Sequence, residues 1–353
     1  MGRNPYTDLP GSAFWKTGVC QENPYDIKGV YKKKFNISAD EKIATAGSCF
    51  AQHISRYLRK SGYNVLDAEP PPPGLPRELH QRFGFSMYSA RYGNIYSVRQ
   101  LLQLAEEVAG EWIPKDYVWE KDGKYVDALR PAIEPEGLDS KDMVMRLRQY
   151  HLSRVKEIFE SLDLFIFTLG LTEMWIHKES GTIYPTAPGA IAGNFDPCIY
   201  QFKNAQFGEI ISDFERFQQV VQSIRGGREF KILLTVSPVP LTATASDQHV
   251  LVSTTLSKSI LRSVAGQLSA TQHNIDYFPS YEIVNNPRLH STCFSENLRS
   301  VREQAVDNVI NHFFREHPVI QKTPPNLQRQ RRLPTTTQED VKCEEALLEA
   351  FSQ

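Results

Sequence analysis

A hydroxyl and a thiol stand side by side in the stretch Ile43-Ala44-Thr45-Ala46-Gly47-Ser48-Cys49-Phe50-Ala51. The chemistry open to such a pair is nucleophilic attack on a carbonyl, for which Cys49 needs less help than Ser48 because part of a thiol is already ionised near neutral pH. Lys42 to Ala46 is apolar and β-branched, predicting a strand that Gly47 breaks. Ala51 to Ser61 carries Ile54, Tyr57 and Leu58 at helical spacing and stops at Gly62, predicting a helix. A strand that turns through glycine into a helix leaves the first N–H groups without intrahelical partners, and the helix dipole favours negative charge there. Those surroundings lower a thiol pKa and stabilise an oxyanion. The same pattern also fits Ser48 as a helix cap and Cys49 as a small buried apolar residue.

The elements that would position this turn are legible in order. Asn64 to Ala68 reads as a second short strand, and Phe83 to Tyr96 is crowded with aromatics around Gly93-Asn94, a pair that suggests a donor facing a cavity. Val98 to Val108 and Lys141 to Leu162 have helical periods, the latter with Met145, Leu147, Tyr150, Leu152, Val155, Ile158, Phe159 and Leu162 as its apolar side. Leu164 to Thr168 and Lys231 to Val236 are unbroken apolar runs of the kind a strand covered on both faces requires. Phe207 to Ile224, Val250 to Ser269 and Arg302 to Phe314 read as helices, and Asp276 to Phe278 as a last short strand. Alternating strands and helices argue for a parallel sheet with helices on both faces, and ligands of such sheets bind at the carboxyl ends of the strands. The loops after Ala46, Thr168, Val236 and Phe278 all open on that edge. Ile183 to Asn194, rich in Pro and Gly, reads as a covering loop, and residues 112–138 as a surface insertion over one end of the sheet.

With 353 residues, 40 Lys plus Arg against 41 Asp plus Glu, the chain can bury roughly three quarters of its unfolded surface. Its charge balance gives no footprint for nucleic acid or an anionic membrane, so binding must be local. The five cysteines, Cys20, Cys49, Cys198, Cys293 and Cys343, are widely spaced and lack a C-x-x-C pair, which reads as thiols of a reducing compartment and gives no support for a metal. The N-terminus has no apolar leader segment and no apolar run has transmembrane length, so the expectation is a cytoplasmic protein. Residues 1–40 read as an extended arm held down by its aromatics, 317–340 as a flexible linker, and 341–353 as a short amphipathic segment that docks on the chain itself or on a partner.

Gly47-Ser48-Cys49-Phe50-Ala51 is the signature of the GSCFA family. The resemblance extends through Tyr92-Gly93-Asn94-Ile95-Tyr96, Thr168-Leu169-Gly170-Leu171-Thr172-Glu173, Thr235-Val236-Ser237-Pro238-Val239-Pro240, His249 to Thr255 and Tyr277 to Ile283, which look like blocks of its proteobacterial branch. That family resembles the SGNH/GDSL hydrolases. The resemblance implies a three-layer α/β/α sandwich with a mostly parallel sheet, flavodoxin-like, over residues 41–316, and an acyltransferase or esterase activity. Gly-Asp-Ser-Leu of the superfamily lies on Gly47-Ser48-Cys49-Phe50, implying Cys49 as nucleophile with Ser48 in the Asp position. Its second-block Gly lies on Gly93, with Asn94 beside it, and Gly-x-Asn-Asp lies on Gly170-Leu171-Thr172-Glu173. The final Asp-x-x-His lies on Asn297-Leu298-Arg299-Ser300, so the usual acid and base are replaced. His249 is then the first choice of base and His290 the second, with Glu173 or Asp247 to orient it and Arg299 to bind an acidic group of the substrate. The substrate class implied is a small molecule or carbohydrate, with no cofactor beyond a coenzyme A thioester as acyl donor. The rival reading is a binding module whose relay has decayed, and a further one has the C-terminal segment recruiting a partner enzyme.

Overall fold

The computed structural model describes residues 4–318 and 344–351. After two short helical turns, Gly11–Ala13 and Lys16–Cys20, the chain forms β1 (Ile43–Gly47), α1 (Phe50–Lys60), α2 (Arg77–His80), α3 (Val98–Ala109), β2 (Val118–Lys121), β3 (Lys124–Asp127) and α4 (Lys141–Ser161). There follow β4 (Leu164–Leu169), β5 (Glu173–His177), β6 (Ile183–Tyr184), β7 (Tyr200–Asn204), α5 (Phe207–Ile224) and β8 (Lys231–Val236). The remainder are α6 (Val250–Thr271), β9 (Ile275–Tyr277), α7 (Ser280–Val284), α8 (His290–Cys293) and α9 (Glu303–Glu316).

The central sheet has the order β1-β4-β8-β9 with every pair parallel. Side chains alternate across it. Phe165, Phe167 and Leu169 of β4 join Ile232, Leu234 and Val236 of β8 against α3, α4, α5 and α6. Leu164, Ile166 and Leu233 face the other way, against α1, α7 and α9. Each strand therefore buries both faces, which is why β4 and β8 are continuous apolar runs and why the chain is a three-layer α/β/α sandwich.

Several expectations are corrected. Residues 64–68 make one bridge, Val65 to Ile43, at the free edge of β1, with the Leu66 N–H donating to Ile43. The stretch after Gly170 is not a plain loop: β6-β5-β7 form a second, antiparallel sheet, so Ile183 to Asn194 is in part a strand. Residues 112–138 hold the hairpin β2–β3 and contribute Trp119, Val126 and Ala128 to a buried cluster with Tyr184 and Tyr200. In the N-terminal arm Tyr31 is packed and donates to Asp276, and Phe35 packs against the same cluster, while Phe14, Trp15 and Tyr25 are exposed, Trp15 at 67%. Residues 344–351 form a 3-10 helix with Leu347 and Phe351 exposed; the rest of the expected linker and tail lies outside the described residues.

Beneath the hairpin lies a buried ionic network. Asp127 takes Arg130 Nε at 2.7 Å and Arg148 Nη1 at 3.0 Å; Arg148 Nε donates to Glu107 at 2.8 Å. His151 Nδ1 meets Glu69 Oε2 at 2.6 Å, and the Arg91 N–H donates to the same oxygen at 2.7 Å. Burial and then Arg130 push His151 down to about 4. Burial alone would raise Glu69, but the imidazole, Arg130 and the Arg91 N–H outweigh it and hold Glu69 at about 2. Burial and nearby lysines also lower His317 to about 4.

The sign of the pH dependence follows. A histidine near 6.5 when unfolded and near 4 when folded takes up its proton first in the unfolded chain, so stability falls as pH drops through that window. Glu69 adds stability above its unfolded value, which is lost as pH falls towards 2. Urea midpoints should decline steadily between pH 6.5 and 4, and His151→Gln should flatten part of that slope. Midpoints that match at pH 7 and 4.5, or a slope unchanged in the variant, would contradict the assignment.

Candidate active site

The turn at the end of β1 is fixed by one glycine. Gly47 has φ +137°, and a Cβ there would stand 2.5 Å from the Thr168 carbonyl oxygen of the neighbouring strand, closer than any side chain tolerates. The Ser48 N–H donates to that same carbonyl at 3.1 Å, so the chain stays against β4 for one residue more before turning into α1. Ser48 is 3% exposed and Cys49, the N-cap of α1, is 5% exposed. The Ser48 side chain packs towards Gly170, whose added Cβ would lie 3.0 Å from Ser48 Cβ and 2.9 Å from the Tyr96 carbonyl oxygen. Ser48 is therefore directed into the strand ends, and no helix N–H bonds its hydroxyl: the expected Ser48 cap is absent and Cys49 takes the N-cap position, without a capping hydrogen bond from its side chain.

Residues 93–96 clasp this turn from the side. Gly93 has φ +70°, a left-handed conformation that favours glycine. The Ile95 N–H donates to Gly47 O at 2.9 Å, and the Tyr96 carbonyl accepts from Gly170 at 3.2 Å and Leu171 at 2.9 Å. The loops after Ala46 and Thr168 are thus tied to the Gly93-Asn94 stretch by main-chain bonds. Asn94 is buried, and its Oδ1 accepts from the Tyr88 hydroxyl and from Gln52 Nε2 at 3.2 Å. The single Tyr88 proton is shared between Asn94 and the Ser48 carbonyl 3.1 Å away. The Asn94 side chain is thereby fixed by Tyr88 and Gln52, and its Nδ2 is a donor.

The third loop adds Thr172, whose N–H donates to Ser257 of α6 at 3.1 Å. The hydroxyls of Ser48, Thr168 and Thr172 are buried without hydrogen-bond partners among the described residues, a concentration of unsatisfied polar atoms that calls for an explanation. Beside Ser257, Lys258 is almost wholly buried and its Nζ donates to the Gly170 carbonyl at 2.7 Å. Sequence reasoning missed this lysine. The signal was present, since Lys258 falls on the same helical stripe as Leu261, Ala265 and Leu268.

Other predicted residues are placed elsewhere. His249 is exposed, the N-cap of α6, and its Nδ1 accepts from the Leu251 N–H at 3.1 Å. A neutral ring held so carries its proton on Nε2 and has no lone pair left to accept another, so a base role requires it to leave the cap. Glu173 bonds Thr244 at 2.9 Å, and the chain of hydroxyls continues through Ser246 to Ser253 and not to His249. Burial raises the Glu173 pKa against the opposing Thr244 hydrogen bond. His290 is exposed on α8, and Asp247 is exposed as well. Asn297 and Ser300 are exposed and spend their polar atoms on their own loop: Asn297 Nδ2 donates to Ser300 Oγ at 3.0 Å, and Asn297 Oδ1 accepts from the N–H groups of Arg299 and Ser300. Arg299 is the buried member of that loop. No group of three or more metal-ligating side chains occurs among the described residues, and none of their helices is long and apolar enough to cross a membrane.

The GSCFA family model matches residues 42–313. The chain belongs to the GSCFA family. The matched span begins at the strand feeding Gly47 and ends in α9, so it takes in the whole parallel sheet and every loop just described. Neither the curated proteins nor the solved structures yield a match. In this GSCFA chain the signature residues have separable duties. Gly47 permits the strand contact, Ser48 fills the space beside Gly170, Cys49 opens the helix, and Phe50 and Ala51 are buried in its first turn.

Proposed function

We propose that this GSCFA protein is an SGNH-like acyl-transfer enzyme in which Cys49 attacks an ester or thioester carbonyl. The observation that supports it most is the clasp of residues 93–96 on Gly47 and on Gly170-Leu171, because it sets Asn94 and the 170–172 loop around the Ser48-Cys49 turn. The thiolate adds to the carbonyl carbon, and the carbonyl electron pair moves to oxygen. That oxyanion is held by the Asn94 amide with the Thr172 hydroxyl, and the Lys258 amine at Gly170 supplies local positive potential. Collapse expels the alkoxide or thiolate leaving group, which takes up a proton, and leaves an acyl thioester on Cys49. A water or a carbohydrate hydroxyl then attacks the thioester, gives up its proton and regenerates the thiolate. A coenzyme A thioester as donor and a cytoplasmic setting belong to the same proposal.

The assay is incubation with short p-nitrophenyl esters and with acetyl-coenzyme A, alongside a thiol-reactive probe. Asn94→Ala should lower turnover on the order of a hundredfold, the usual effect of losing one oxyanion donor, while probe labelling of Cys49 persists. Turnover unaffected in Asn94→Ala would remove it from the site. A second reading, a binding module without turnover, is favoured by the way Asn297 and Ser300 are consumed by their own exposed turn. It predicts no ester or thioester turnover in the wild type, whereas dependence on Ser48 alone would move the nucleophile one residue upstream.

A further inference from the structure

On the outer side of α1, one turn beyond Cys49, lies a solvent-open groove of about 280 Å³, close to the lower end of the range of small-molecule sites. Arg56, Arg59 and Lys60 line it from α1, Arg77 and His80 from α2, and His53 from the first turns of α1. No carboxylate lines it. Asp67 engages Arg59 at 3.5 Å from behind, and among the described residues Arg56, Lys60 and Arg77 form no ion pair. On a chain whose charges otherwise cancel, four cations around one concavity are a local excess that a bound anion would neutralise.

The donors are also aimed by their own bonds. The Arg56 guanidinium donates to His53 Nδ1 at 3.1 Å, so His53 carries its ring proton on Nε2 and is a donor. Burial and then Arg56 lower its pKa to about 3, in keeping with a neutral ring. His80 Nε2 is committed to the Leu75 carbonyl at 3.0 Å. The groove is also joined to the candidate site. Gln52 lines it and at the same time donates to Asn94 Oδ1 and the Tyr88 hydroxyl, both at 3.2 Å.

We infer that this groove binds the diphosphate group of a nucleotide-borne ligand, gripped by Arg56, Lys60 and Arg77 with the His53 N–H. Arg56 and Lys60 are one helical turn apart on the same face and Arg77 stands across from them, a spread suited to two linked phosphates rather than one carboxylate. Its use in catalysis rests on the acyl-transfer reading, in which the ligand is the acyl donor or the activated acceptor; binding itself does not.

The test is calorimetric titration of the full chain with inorganic pyrophosphate at low and moderate salt. Free coenzyme A and uridine diphosphate, each carrying two linked phosphates, serve as further arms that tell a coenzyme-A-type source from a sugar nucleotide. Saturable, salt-weakened binding is expected. The double variant Lys60→Glu/Arg77→Glu, both positions exposed, should weaken it at least tenfold, whereas Lys156→Glu on α4 should leave it unchanged. Cys49→Ala should bind as the wild type does, and a wild-type chain that binds pyrophosphate yet turns over no ester or thioester would count against the acyl chemistry alone. Absence of pyrophosphate binding by the wild type, or equal weakening by Lys156→Glu, would overturn the inference.

Discussion

Gly47→Ala is expected to cost at least about 4 kcal/mol and to leave little folded protein at 37 °C. A strained φ costs about 1–3 kcal/mol on its own, and here a methyl group would also overlap the Thr168 backbone, which lies 2.5 and 2.7 Å away at O and N. Relief would require β1 and β4 to separate where their register ends, Gly47 opposite Thr168. Gly62→Ala is the informative control: its φ is also positive, at +83°, but nothing lies within 4 Å of the added Cβ. That variant should lose only the backbone-conformation cost, roughly 1 kcal/mol. Comparable thermal midpoints for the two alanine variants would show that the strand contact at Gly47 is not what selects glycine.

Cys49→Ala is expected to lower ester or thioester turnover on the order of 1,000-fold or more, the scale on which removal of a covalent nucleophile acts, while the urea midpoint moves little. Cys49 is small, and alanine keeps its Cβ and removes a single sulfur atom at the start of α1, so stability and activity should separate. Ser48→Ala should change both quantities only slightly. Its hydroxyl has no partner among the described residues, and removing an unsatisfied buried polar atom is neutral or mildly stabilising. Activity would fall modestly, through packing beside Gly170.

The parallel sheet was legible because its physics is strong. Strands buried on both faces must be uninterrupted apolar runs, and β4, β8 and the helix Phe207–Ile224 stand where their patterns put them. Composition misled where buried groups are charged. On α4 the apolar pattern pointed to Met145, Leu147 and Tyr150, yet the inward face is Val144, Arg148 and His151, with Tyr150 exposed. Asp127, Glu107 and Glu69 neutralise or hydrogen-bond those two residues, and each partner comes from a distant segment that no local period reveals. The sheet β6-β5-β7 escaped notice because its strands are short, β6 having two residues and β5 and β7 being only partly buried, which leaves little alternation to read.

The site was half legible for the same reason. The turns at Gly47, Gly93 and Gly170 carry sequence signals tied to backbone conformation and close approach, and main-chain bonds bring them together. The base was not legible, because a histidine before an apolar helix looks the same whether it caps or catalyses. His249 is the cap of α6. Lys258 was passed over as one more residue of a regular helix, although a lysine on the buried stripe is uncommon enough to be weighed as functional.

Acyl transfer by this protein requires that the Cys49 sulfur become acylated. Intact-mass analysis after rapid acid quench of the wild-type chain with p-nitrophenyl acetate or acetyl-coenzyme A, followed by peptide mapping, reads this directly. The expected result is one added acetyl group per chain, mapped to Cys49, cleared by hydroxylamine and missing from Cys49→Ala. An unmodified Cys49 under turnover conditions, or an acetyl group found equally in Cys49→Ala, would contradict the proposed chemistry.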